Sequence, residues 1–168
     1  MSVARRIRFG FVPGLLAVVL VPATSSEAST GCMPVSGGYT EHPVTGPDCL
    51  SPVGLCIAAK YRGGIRGDAE GRATSIVPTA DTPTTSVRLF TSDSTITGRV
   101  AGRSGTLIIK NAGAFASAGE GSIVDLQTIV GGTGGLAGAH GALRAQGTFV
   151  FPTGGRSRYT GTVCLSSR

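Results

Sequence analysis

Residues able to do chemistry are sparse in this chain and fall into a few groups. Asp68 and Glu70 stand two apart, so on an extended strand both carboxyls share one face and could act as an acid–base pair. Arg66 and Arg72 flank them on that same face, and a surface ion ladder is the better reading of the four. The chain has two histidines, His42 and His140. A Ser-His-Asp site would have to use one of them, and His140 falls on an outer strand face with Arg144. Cys32, Cys49, Cys56 and Cys164 could hold zinc together with His42, but no C-x₂₋₄-C pair is present and the zinc reading is set aside. Tyr61, Tyr159 and Asn111 point inward with the apolar residues by strand parity. There they either pair with backbone and with each other or offer a polar handle to a ligand. No G-x-S-x-G elbow, H-E-x-x-H or P-loop occurs. No catalytic constellation is readable, so whether the chain is an enzyme stays open. No cofactor is expected.

The stretch TIVGGTGGLAGAHGALRAQGTFVF, residues 128–151, contains an apparent dinucleotide motif in Gly132, Gly134 and Ala137. The fingerprint needs a following helix to hold the pyrophosphate and an acidic residue about 20 positions on for the ribose. The chain instead runs into strand-forming Thr148-Phe149-Val150-Phe151, and no Asp or Glu follows Asp125. A glycine corner between two strands, with Gly132 and Gly134 present for backbone geometry, is the better reading.

The elements that position these groups begin after a leader. Arg5, Arg6 and Arg8 precede a mostly apolar run from Phe9 to Val21, and Ser26-Glu27-Ala28 offers small residues at a cleavage site. Residues 1–28 read as a secretory signal peptide. The apolar run is shorter than the roughly 20 residues of a membrane span, and no membrane anchor is expected. Of 15 basic and 9 acidic residues, loss of Arg5, Arg6, Arg8 and Glu27 leaves 12 and 8, a net charge of +4. Basic residues form no run and do not interleave with aromatics, which argues against nucleic acid. Arg, Ala and Gly usage suggests a GC-rich bacterial genome. An even number of cysteines in an exported chain implies two disulfides, with three pairings open.

Residues 29–52, rich in Pro, Gly, Ser and Cys, read as an irregular N-terminal arm held by a disulfide. Residues 53–168 read as the barrel domain, with strands near 54–61, 65–77, 85–92, 94–101, 105–112, 121–130, 139–151 and 156–165. Eight strands without helical periodicity suit an all-β, antiparallel up-and-down barrel, which leaves no open edge. Alternation puts Leu55, Ile57 and Tyr61, then Val124, Leu126, Thr128 and Val130, then Phe149 and Phe151, then Tyr159 and Val163 on the lumen side. Leu55, Ile57, Tyr61, Asn111, Phe149, Tyr159 and Val163 are therefore the candidate ligand-lining residues. Cys56 and Cys164 fall on the outer face of the first and last strands, which are neighbours in a closed barrel. Cys56–Cys164 is the expected bridge, and Cys32–Cys49 follows by elimination and from its short loop.

The runs Leu107-Ile108-Ile109-Lys110-Asn111-Ala112-Gly113, Leu126 to Gly134, and Leu136-Ala137-Gly138-Ala139-His140-Gly141 resemble the allene oxide cyclase and dirigent barrels. The GGTG corner is the most specific part of the likeness, which spans about Leu107 to Thr162. Leu136 stands where those families usually carry an aromatic. The resemblance implies an eight-stranded barrel, often trimeric, with a lumen for a small hydrophobic ligand. Its members cyclise an unsaturated epoxide or steer phenoxy-radical coupling. Their catalytic residues lie outside the matched runs, and none is carried over. Three functions follow as expectations: a secreted ligand-binding barrel without catalysis, a cyclase or isomerase of an unsaturated lipid or phenolic compound, and a cell-envelope protein working through its outer surface. N-terminal sequencing of exported protein is expected to start within a few residues of Ser29. An intact Met1 on the exported protein would contradict the leader.

Overall fold

The computed structural model describes residues 30–84, 86–116 and 121–167. The leader assigned to residues 1–28 lies outside them. Eight strands run β1 Thr30–Val44, β2 Cys56–Gly63, β3 Ile65–Asp81, β4 Ser86–Val100, β5 Arg103–Ala116, β6 Ser122–Gly134, β7 His140–Val150 and β8 Gly154–Ser166. Each pairs antiparallel with its chain neighbours, and β1 pairs with β8 to close the barrel. The all-β, eight-stranded class expected from alternation is the observed one.

Its strand assignment differs in two places whose effects on the count cancel. Thr30–Val44 is not an irregular arm but β1, inserted between β8 and β2. Its period-two pattern is Met33, Val35, Gly37 and Tyr39 facing in, with Cys32, Pro34, Ser36 and Thr40 outside. The pattern was masked by Pro and Gly, which carry no strand preference of their own. The segments expected at 85–92 and 94–101 form the single strand β4, which runs straight through Asp93. Asp93 is held on the outer face by Arg72 and Lys110, so a turn-forming residue sits inside a strand.

Inserting β1 also changes the disulfides. Cys56 and Cys164 do lie on outer faces, but β1 separates their strands. Cys32 instead stands directly opposite Cys164 across the β1–β8 pair, and the two are bonded. Cys49 bonds Cys56, seven residues on, and ties down the β1–β2 connection. The expected Cys32–Cys49 and Cys56–Cys164 pairings are thereby corrected.

A third correction concerns β6. Ile123, Asp125, Gln127 and Ile129 face inward and are buried, while Val124, Leu126, Thr128 and Val130 are exposed. β6 has branched apolar residues on both faces, Ile123 and Ile129 on one and Val124 and Val130 on the other, so apolar content alone does not select the inner face. Elsewhere the parity holds, except at Phe151, which is expected on the lumen side and stands outside. Arg66, Asp68, Glu70 and Arg72 are all exposed, with Lys60–Asp68 at 2.9 Å and Arg72–Asp93 at 3.5 Å as outer ion pairs. Phe151 is exposed beyond the end of β7.

The lumen is filled unevenly. At the end carrying the β2–β3, β4–β5 and β6–β7 connections, Ile65, Val100, Leu107, Leu136, Leu143 and Val163 are almost fully buried. Leu136 reaches this core from the glycine corner, held by Leu136 N–H donating to Thr133 O and Ala139 N–H to Leu136 O. A Cβ on Gly132 would lie 2.2 Å from the Leu136 carbonyl oxygen, and Gly134 has φ +60°. The glycines thus let the chain fold Leu136 inward as a plug, and the chain then enters β7, not a helix. Gly132→Ala is expected to destabilise the barrel by about 1–3 kcal/mol in urea unfolding. Gly131→Ala, whose Cβ would meet only Ile108 Cδ1 at 3.7 Å, is the control and should stay within about 0.5 kcal/mol.

Candidate functional site

At the opposite end of the barrel the lumen is open enough to hold a cavity of about 90 Å³. Its apolar wall includes Leu55, Ile57, Ala59, Ala69, Ala73 and Ile123. Phe90, Phe115 and Phe149 form a chain of aromatic contacts there, with successive ring centroids 6.1 Å apart. Small residues on β3 leave the space that larger ones would fill. This is what strand alternation demands of a narrow barrel that keeps a cavity.

The polar side of the cavity comes from three strands. Tyr39 and Glu41 stand two apart on β1, Tyr61 on β2, and Asp125 and Gln127 two apart on β6, each pair sharing an inward face. Gln127 is the hub. Its amide nitrogen donates to Tyr39 Oη at 3.3 Å and to Asp125 Oδ2 at 3.0 Å, while its carbonyl accepts from Tyr61 Oη–H at 3.2 Å. Tyr39 and Tyr61 stack with centroids 4.6 Å apart. Farther round the wall, Asn111 donates to Ser92 Oγ and Ser94 Oγ, both at 2.9 Å.

Two carboxylate oxygens in this cluster, Glu41 Oε1 and Asp125 Oδ1, are buried with no hydrogen-bond partner among the described residues. Burial raises the Asp125 carboxyl to about 6 against the opposing hydrogen bond from Gln127. It raises Glu41 to about 7, with the negative charge of Asp125 adding to the effect. Burial also pushes the Tyr39 and Tyr61 hydroxyls upward, so both phenols are neutral donors at ordinary pH. The site therefore offers two carboxyls that exchange protons near neutrality, beside stacked aromatic rings and within an apolar wall.

Five of the seven expected lining residues, Leu55, Ile57, Tyr61, Asn111 and Phe149, border this cavity. Tyr159 and Val163 face inward as expected but sit in the packed half. Tyr159 Oη accepts from Ile65 N–H at 2.8 Å and lies 3.2 Å from the Arg62 and Ile65 carbonyls, so it ties the β2–β3 turn to β8. Asp68 and Glu70 stay on the outer face. His42 and His140 are exposed, the latter beside the Cys32–Cys164 bridge, whose sulfurs are bonded to each other. Sequence reasoning missed Tyr39, Glu41, Asp125 and Gln127. The signal available was the polar alternation Asp125, Gln127 between Ile123 and Ile129.

Residues 44–161 match the family described as "Protein of unknown function (DUF3224)", and the chain belongs to that family. No curated protein matches. Two solved structures of pterocarpan synthase dirigent proteins are similar to it, each at 14% identity. One covers 90% of this chain and 98% of its own with a TM-score of 0.45, the other 82% and 97% with 0.34.

The raised carboxyls make stability depend on pH in a defined direction. A carboxyl whose folded pKa exceeds its unfolded value binds its proton more tightly when folded. Its contribution is complete below the unfolded pKa and is lost as pH rises through the folded one. Stability is expected to fall from about pH 4 to about pH 7, where the unfolded chain has ionised these carboxyls while folded Asp125 and Glu41 still hold their protons, and to level off above. Glu41→Gln should remove that carboxyl's share of the slope, a difference on the order of 3 kcal/mol accumulated between about pH 4 and about pH 7. Thermal unfolding across this pH range checks it, and an unchanged slope in the variant would contradict the assignment.

Proposed function

We propose that this member of the family is an exported receptor for one compact small molecule, which it holds in the open half of its lumen. The observation that carries this reading is the uneven filling of the barrel. One end is closed by Leu136 and the aliphatic core, while the other keeps a cavity with apolar walls and a few convergent polar groups. That combination is the usual make-up of a small-molecule site. The two disulfides agree with an oxidising compartment, and with the basic-apolar leader they support export.

A second reading rests on the carboxyl pair. Glu41 and Asp125 titrate near neutrality, so one can be protonated while the other is ionised. That division of roles is what proton-transfer isomerisation or cyclisation of an unsaturated or phenolic compound needs. It is consistent with the chemistry of the allene oxide cyclase and dirigent barrels that the chain resembles. Trimeric association, also implied by that resemblance, would draw on exposed Leu89, Val124 and Leu126 on β4 and β6, with half-buried Ala114 of β5 between Leu89 and Val124. A cell-envelope partner would use the same surface.

Native mass spectrometry of the protein purified from its own host is expected to show a retained small molecule. Ala69→Leu, which fills the cavity, should abolish retention while the barrel still folds. Retention undiminished by this variant would place the molecule elsewhere and defeat the lumen reading.

A further inference from the structure

Resting on the receptor reading, the chemistry of the lumen narrows the class of occupant. Asp125 is 7% exposed and borders the cavity, and its Oδ1 has no partner among the described residues. Glu41 borders the same cavity with Oε1 likewise unpartnered. The other polar groups facing them are neutral: Tyr39 on β1, Tyr61 on β2, Ser92 and Ser94 on β4, Asn111 on β5 and Gln127 on β6. Lys60, Arg72 and Lys110 are committed to the outer face. Lys60 pairs with Asp68, and Arg72 and Lys110 pair with Asp93. Of the cavity's other charged lining, Glu70 is exposed on the outer strand face, and Arg72, the one basic residue, turns its guanidinium to that outer pair. The site thus holds two inward-facing acids, no inward-facing base and two buried acceptor atoms waiting for donors.

Leaving such acceptors without donors costs free energy that a fitting ligand would recover. A carboxylated lipid would add a third negative group and be repelled. A neutral alcohol or phenol could satisfy one oxygen but would leave the charge uncompensated. An ammonium group supplies several N–H donors and the missing positive charge together. The stacked Tyr39–Tyr61 pair and the Phe90–Phe115–Phe149 cluster offer aromatic surface for its body, and ring faces attract cations.

We infer that the ligand of this cavity is a compact organic cation, a primary or secondary ammonium on a small apolar body, held between Glu41 and Asp125. Binding would favour the ionised carboxyls, so it would release protons at neutral pH.

The test uses three probes of nearly one size on the disulfide-intact protein: benzylammonium, benzyl alcohol and benzoate, by titration calorimetry near neutral pH. Benzylammonium is expected to bind at least about tenfold more tightly than benzyl alcohol, with benzoate not binding. Repeating the titration in buffers of different ionisation enthalpy should show proton release. Asp125→Asn should weaken benzylammonium by about tenfold or more and leave benzyl alcohol within about threefold. Glu41→Gln gives a second, independent variant should the first fail to fold. Benzyl alcohol or benzoate binding as tightly as benzylammonium would overturn the cation while leaving the receptor standing. No binding by any of the three would overturn the cation as well. If the host-purified protein also retained nothing, the receptor reading would fall with it.

Discussion

Everything in this molecule depends on the pairing of its first strand with its last. Twelve residue pairs join β1 to β8, from Thr30 with Ser166 to Glu41 with Gly155. Without them the sheet would expose two long edges, and the lumen would be a groove. The pairing is also the most non-local in the fold, so its chain-entropy cost falls on a loop spanning nearly the whole described chain. Cys32–Cys164 sits inside that seam with a sequence separation of 132 residues. In the chain-entropy account such a bridge contributes up to about 5 kcal/mol. β1 is therefore both the closing strand and the carrier of Tyr39 and Glu41, so closure and site assembly are one event.

Closure sets what the interior can contain. A barrel of eight strands has room for packed side chains or one small ligand, and this one divides its length between the two. Leu136 and Tyr159 secure the packed end by opposite means, one as an apolar plug from a glycine corner and the other by hydrogen bonds to the β2–β3 turn. Gly37 makes room for the second of these, since a Cβ there would meet Tyr159 Oη at 2.6 Å. With that end rigid, Ala69 and Ala73 at the other can stay small without collapse of the wall. Two carboxyls can then be held in a low-dielectric space, where their protonation is set by burial and by each other.

The outer surface shows the complementary arrangement. Charge is concentrated on β2, β3 and the middle of β4 and β5, as Lys60, Asp68, Arg72, Asp93 and Lys110. Those exposed pairs contribute little to stability. On β6 the usual order is reversed, with Asp125 and Gln127 inside and Val124 and Leu126 outside. A strand that hides an acid and an amide and shows aliphatics is locally unfavourable, which marks it as serving the site more than the core.

The barrel class was legible in the chain because alternation is a local property. β2, β3, β7 and β8 each carry small or apolar residues at every second position, and steric and hydrophobic forces act on that pattern whatever the partners. For the same reason Tyr61, Asn111, Phe149, Leu55 and Ile57 could be placed on the lumen side, and Arg66, Asp68, Glu70 and Arg72 outside. The glycine corner was also readable, since Gly132 and Gly134 answer to backbone geometry close in sequence. Tertiary structure alone decided which strands are neighbours. That is why both disulfides pair differently from expectation, and why β1, whose alternation is broken by Pro34, Gly37 and Gly38, does not read as a strand in the sequence. It also decided the parity of β6, where both faces carry branched aliphatics and only pairing with β5 and β7 selects one. The candidate site fell in that gap. Glu41 lies on the unnoticed strand and Asp125 on the misfaced one, and what brings their carboxyls into one cavity is barrel closure between segments more than 80 residues apart.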